Sequence, residues 1–90
     1  MFDFNLTDEL RLKIRKLLKK DKKKVEIISK KIKEIISNDK DSIKRYKNLK
    51  YDLRDFKRVH IDKHFVLVFS VDEESKTVIL EDYDHHDNIY

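Results

Sequence analysis

The chain opens on alternation. Phe2, Phe4 and Leu6 are separated by Asp3 and Asn5, a period of two that predicts a short strand. The period then changes. Leu10, Ile14, Leu17 and Leu18 follow at helical spacing, and Thr7 stands where an N-cap belongs. Asp8 and Glu9 fall in the first turn, where the helix dipole favours anions. This helix is expected to end at about Lys19 or Lys20. The polar run Lys20-Asp21-Lys22-Lys23-Lys24 turns the chain, with Asp21 capping a second helix that carries Val25, Ile28, Ile32, Ile35 and Ile36. Two apolar stripes this close in sequence predict an antiparallel helical hairpin whose stripes form core.

Ser37 to Asp41 is a polar break, and Ile43 to Leu53 reads as an irregular, partly packed connection. After it the period returns to two. Val59 and Ile61 alternate with Arg58 and His60, Asp62-Lys63 reads as a tight turn, and Phe65, Leu67, Phe69 and Val71 line one face of the next strand. Asp72 to Lys76 is a second turn, and Thr77 to Tyr83 the last strand. The expected class is α+β, an antiparallel sheet with the element order β-α-α-β-β-β. The three late strands form an antiparallel meander, the first strand adds alongside, and the helical hairpin packs on one face. The other face is expected to be open and to carry Arg58 and His60.

Composition tightens this picture. Ninety residues make one domain, residues 1–90. There is no cysteine, so disulfides, thiolate nucleophiles and thiolate metal ligands are excluded, which fits a reducing cytoplasm. Glycine and proline are absent too, so every turn must rest on Asn, Asp, Lys or Ser. The longest apolar run, Phe65 to Phe69, is five residues, far short of a membrane span. Met1-Phe2-Asp3-Phe4 lacks the pattern of a secretory signal.

Charge is divided along the chain. Residues 1–50 hold 17 Lys+Arg against 8 Asp+Glu, a balance of +9; residues 51–90 hold 5 against 10, a balance of −5. The basic half suits a polyanion or an acidic protein partner, although lysines also serve simply to solubilise helices. The acidic half contains all four histidines.

Arg58 and His60 lie two apart on a strand and project the same way. Arginine offers a planar fork for phosphate, and histidine moves protons near neutrality. The ending Tyr83-Asp84-His85-His86-Asp87-Asn88-Ile89-Tyr90 is dense in polar and aromatic groups. Adjacent strand residues face opposite ways, so His85 and His86 are not expected to share a metal ion unless the chain turns there. Metal-free RNA cleavage needs one group to take the 2′-hydroxyl proton, another to protonate the leaving 5′-oxygen, and a cation to steady the phosphorane. An aromatic side chain can stack on a splayed base. His60, His86, Arg58 and Tyr90 supply these types. His64, His85 and Asp87 are secondary candidates, and Lys13, Lys16, Lys20, Lys24 and Lys31 are candidate RNA contacts.

Three stretches carry a family resemblance. They are Leu49 to Ile61 with its Arg-Val-His-Ile strand, Phe65 to Asp72, and the His-His-Asp-Asn-Ile-Tyr ending at residues 85–90. Together they resemble the RelE/ParE superfamily of type II toxin–antitoxin toxins, nearest the RelE/StbE and YafQ-like branch. The resemblance implies a ribosome-dependent mRNA endoribonuclease that works without a metal cofactor and is silenced by an acidic antitoxin in a hetero-oligomer. It implies catalytic positions at Arg58, His60 and His86, and an active-site aromatic at Tyr90. Val66 stands where many relatives carry arginine, and His64 where YafQ-like relatives often carry aspartate. Glu81, Asp82, Asp84 and Asp87 surround the tail and are expected to repel phosphate. Two other readings stand beside the nuclease: a gyrase inhibitor of the ParE type, and a catalytically weak or dead module that only binds antitoxin or RNA.

Overall fold

The computed structural model describes residues 1–89. Its elements run β1 (Asp3–Leu6), α1 (Asp8–Lys20), α2 (Lys22–Ile36), β2 (Lys57–His60), β3 (Phe65–Asp72) and β4 (Thr77–His85). Short 3-10 turns occupy Ser42–Arg45, Tyr51–Leu53 and His86–Asn88.

The helices begin where the sequence places their caps. Thr7 Oγ1 accepts from the Leu10 amide at 3.2 Å, and the same hydroxyl donates to the Glu81 carbonyl at 2.8 Å. One residue therefore caps α1 and fastens it to β4. Asp21 separates the helices alone: its amide donates to the Leu17 carbonyl at 2.7 Å, and its carboxylate accepts from the Lys24 amide at 3.1 Å. A single linking residue forces α1 and α2 into a tight hairpin.

The sheet order is β1-β4-β3-β2. The meander forms as expected, β2 and β4 each pairing antiparallel with β3. β1 adds to the far edge of β4 in parallel, Phe4 opposite Val78 and Leu6 opposite Leu80, so the sheet is mixed and not antiparallel throughout as expected. A bulge between Val68 and Phe69 shifts the β3–β4 register before the end that carries the histidines.

The core lies between the hairpin and one sheet face. Leu10, Ile28, Ile32 and Ile35 pack in one cluster with Leu67, Phe69, Val78, Leu80 and Tyr83. The opposite face is not open along its length. Val66 and Val68 alternate with the core-facing Leu67 and Phe69, yet both are buried, which corrects the expectation of a bare surface.

With no glycine, the turns are built on aspartate carboxylates that accept backbone amides, the Asx geometry. Asp39 holds Asp41 and Ser42, Asp62 holds His64 and Phe65, and Asp72 holds Glu74 and Ser75. Lys76 and Tyr51 take left-handed backbone conformations, φ 53° and 60°, that glycine would adopt at less cost.

Candidate active site

The candidate residues fall into two adjoining groups. The first lies along β2. Arg58 pairs across the strands with Val68 and His60 with Val66, so both basic side chains stand on the face away from the helices. The preceding segment runs along the outer edge of β2. The Arg58 amide donates to the Lys47 carbonyl at 3.0 Å, the Leu49 amide to the Phe56 carbonyl at 2.9 Å, and Asn48 bridges to Lys57. This brings Arg45, Tyr46 and Lys47 beside Arg58, Val59 and His60 around a depression of about 310 Å³. Three fixed cations and a histidine thus share one small concavity. Arg45 and Lys47 do not stand out in the sequence, because their membership depends on the strand-edge pairing. Arg58 is half-buried, and its Nε is buried with no hydrogen-bond partner among the described residues. A buried donor left unpaired costs free energy and calls for an acceptor.

The second group sits where β3 begins and β4 ends. Phe65 lies opposite His85 in the ladder, and the His86 amide donates to the His64 carbonyl at 2.7 Å. At this point β4 stops and the chain bends into the turn His86–Asn88. The bend overrides the strand alternation on which His85 and His86 are expected to diverge. Their ring centroids are 4.6 Å apart, and His64 stacks on His85 at 5.8 Å. His64, His85 and His86 each place a ring nitrogen within 4.8 Å of the others.

Two aspartates organise this cluster. Asp84 accepts from Asn88 Nδ2 at 3.1 Å and from the His85 amide at 2.7 Å. The Asn88 hydrogen bond, reinforced by the His85 amide, holds the Asp84 carboxyl below its usual range. Asp87 lies between two rings, Oδ1 at 2.9 Å from His86 Nδ1 and Oδ2 at 3.4 Å from His85 Nδ1. His64 is placed by its turn. Asp62, whose carboxylate accepts the His64 amide, is ion-paired with Lys24 of α2, and the Lys24 bond and these amides lower its pKa to about 2.

His60 belongs to the first group and His86 to the second. The register sets His60 opposite Val66 and Val66 opposite Asp84. His60 and Asp84 are thus two strand spacings apart, about 10 Å, and His86 follows two residues later. Tyr90 lies outside the described residues.

Of the candidate RNA-binding lysines, three are committed elsewhere. Lys13 pairs with Asp82 at 2.7 Å and also donates to the Tyr83 carbonyl at 3.1 Å. Burial opposes its charge, but the Asp82 hydrogen bond and the nearby carboxylates together outweigh burial and hold the ammonium above its usual pKa. Lys24 pairs with Asp62 and lies 5.0 Å over the Phe65 ring. Lys31 pairs with Glu34 at 2.8 Å. Lys16 and Lys20 are exposed. The tail acids are also partly compensated: Asp82 by Lys13, and Glu81 by a 2.8 Å hydrogen bond from Ser70.

No protein-family model matches the chain. It is 58 % identical over its full length to an uncharacterised protein of Methanosarcina mazei, covering all of that protein. It is 54 % identical, again over its full length, to the candidate toxin RelE4 of Methanocaldococcus jannaschii, covering 92 % of it. Among solved structures, a YoeB/ParE toxin from Agrobacterium tumefaciens superposes with a TM-score of 0.80 at 15 % identity, over 94 % of this chain and 99 % of that one. The Staphylococcus aureus YoeB–YefM complex gives 0.75 at 20 % identity, over 96 % of this chain and 98 % of that one. The solved structures speak for the fold; the sequence identity to RelE4 reaches further. The chain belongs to the RelE toxins of the RelE/ParE superfamily, a family of type II toxin–antitoxin toxins.

Proposed function

We propose that the chain is a metal-independent endoribonuclease, an mRNA interferase acting on translating ribosomes in the cytoplasm and held silent by an acidic antitoxin. The observation that carries the reading is Arg58. Its side chain is half-buried beside Arg45, Lys47 and His60, its Nε has no hydrogen-bond partner among the described residues, and its guanidinium offers the planar fork suited to a phosphodiester.

In this reading the substrate phosphate sits against Arg58, with Arg45 and Lys47 adding positive charge. The 2′-hydroxyl attacks the adjacent phosphorus, the bond to the 5′-oxygen breaks, and a 2′,3′-cyclic phosphate results. His60 and His86 act as the proton acceptor and donor, in either order. Their placement in different groups suits this division, since a phosphodiester must fit between them. Arg58 stabilises the charge on the phosphorane. Tyr90 stacks on a base or assists proton transfer. The basic N-terminal half supplies surface for ribosomal RNA and for an acidic antitoxin. The structural similarity to the toxin of a YoeB–YefM complex supports such a partner.

The test is inducible expression followed by mapping of mRNA ends. Growth arrest with cuts inside codons is expected, and cutting persists with chelator present. Wild-type toxicity in a His86→Ala variant overturns the assignment of His86. A second reading, a weak or inactive binding module, draws on one observation: His86 is gathered with His64 and His85, not with Arg58 and His60. Tight antitoxin binding with intact transcripts would favour it. Intact transcripts with DNA damage would instead indicate gyrase inhibition.

A further inference from the structure

We propose that His64, His85 and His86 form a binding site for a borderline transition-metal ion such as Zn²⁺ or Ni²⁺, and that the ion switches the toxin off. Three imidazoles from two chain segments converge so that one nitrogen of each lies within 4.8 Å of the others. Tetrahedral coordination at about 2.05 Å needs ligand nitrogens about 3.3 Å apart. The contraction is small, and the exposed His64 ring is free to make it by rotation. The backbones are already set. Asp62 fixes the His64 turn, the His86 amide is bonded to the His64 carbonyl, and Asp84 with Asn88 fixes the bend after β4.

The surroundings supply the other half of a metal site. A ligating histidine usually gives its second ring N–H to a carboxylate, which fixes the tautomer and strengthens the ligand. Asp87 is placed to do this for two rings, with its oxygens 2.9 Å from His86 Nδ1 and 3.4 Å from His85 Nδ1. His85 Nδ1 also accepts the Asp87 amide at 3.1 Å, so ligation through Nε2 exchanges that donor for the carboxylate. Three neutral nitrogen ligands select Zn²⁺, Ni²⁺ or Cu²⁺ over Mg²⁺ and Ca²⁺, which require oxygen ligands. Three protein ligands also leave a coordination position for water or for a group from a partner.

The switch rests on the nuclease reading of His86. A nitrogen lone pair held by a metal cannot accept a proton, and a ring fixed by two neighbours cannot reach a phosphodiester. Ion binding therefore removes His86 from RNA cleavage.

The test has two arms on the purified full chain. In the binding arm, calorimetric titration is expected to give one Zn²⁺ or Ni²⁺ per chain and no Mg²⁺. His64→Ala and His85→Ala each weaken binding at least tenfold, and Asp87→Asn about tenfold, whereas His60→Ala retains it. Circular dichroism confirms that each variant is folded, and Co²⁺ absorption of the wild type reports nitrogen coordination independently of any variant. Absence of saturable binding, or binding in His64→Ala and His85→Ala equal to wild type, overturns the site. In the cleavage arm, saturating Zn²⁺ is expected to suppress mRNA cutting and chelator to restore it. Cutting that continues at metal saturation overturns the switch while leaving the site to the binding arm. No cutting even with chelator removes the nuclease reading and the switch together, and titration alone then decides the site.

Discussion

Lys24 of α2 is ion-paired with Asp62 in the turn between β2 and β3, and the same carboxylate accepts the amides of His64 and Phe65. One aspartate thus joins the helical hairpin to the turn that presents His64. These partners hold its pKa at about 2, below the ordinary 3.8. A depressed carboxylate pKa stabilises the fold above the unfolded value and loses that contribution as pH falls toward the folded one. Stability is therefore expected to decline between about pH 4 and pH 2 through this group. Screening of a partly exposed pair limits the effect to about 1 kcal/mol. Acid titration of the denaturation midpoint in wild type and Asp62→Asn checks this: the variant should lack that part of the decline.

Thr7 makes two hydrogen bonds with one hydroxyl, accepting from Leu10 and donating to Glu81. Thr7→Val keeps the shape and removes both. The expected loss is about 1–2 kcal/mol. Urea unfolding should show a lower midpoint at unchanged slope; an unchanged midpoint would show that water replaces both bonds.

Phe69 is fully buried and meets Tyr46 edge-on at 5.3 Å. Phe69→Ala removes a ring that lies in the buried cluster shared by the helices and the sheet and packs against Tyr46. The expected cost is about 3–5 kcal/mol, a large share of the stability of so small a domain. Thermal unfolding should shift steeply downward in temperature, and recovery of soluble protein should fall with it.

Local signals are the legible ones. Thr7 and Asp21 announce both helix starts, and alternation announces β2 and β3, because caps and periodicity act within a few residues. The pairing of β1 is not legible: Phe4 meets Val78, and hydrophobic alternation carries no direction for a strand partner so remote. The burial of Val66 and Val68 is hidden for the same reason, since alternation separates faces without saying what covers each. At the site, the shared face of Arg58 and His60 follows from strand geometry. The contribution of Arg45 and Lys47 does not, as it depends on Lys47 bonding to the edge of β2. The convergence of His85 and His86 is hidden because strand geometry does not continue through the bend fixed by Asp84 and Asn88.

Arg58 tests the phosphate reading directly. Arg58→Lys keeps the charge but loses the planar fork and the Nε donor, and the substitution is not conservative at such a position. Cleavage is expected to fall by about 10²-fold, the scale for loss of one donor to a developing oxyanion, while circular dichroism stays native. Equal cleavage by Arg58→Lys and wild type would reduce the role of Arg58 to a simple point charge.

The lysines separate binding of RNA phosphates from mere positive charge. Lys16 and Lys20 are exposed on α1, whereas Lys31 is paired with Glu34 at 2.8 Å. All three substitutions to glutamine remove one positive charge, so a reading based on net charge predicts equal effects. A reading based on phosphate binding does not. Each lysine that no longer neutralises a phosphate of a single strand reduces the slope of log affinity against log salt by about 0.7. The double variant Lys16→Gln/Lys20→Gln is expected to flatten the slope for a single-stranded RNA by about 1.4 on this basis. Lys31→Gln should leave it nearly unchanged, because the ion pair already occupies that ammonium. Binding measured at several salt concentrations decides between them, and equal slopes for all variants would place the RNA-binding surface away from the helices.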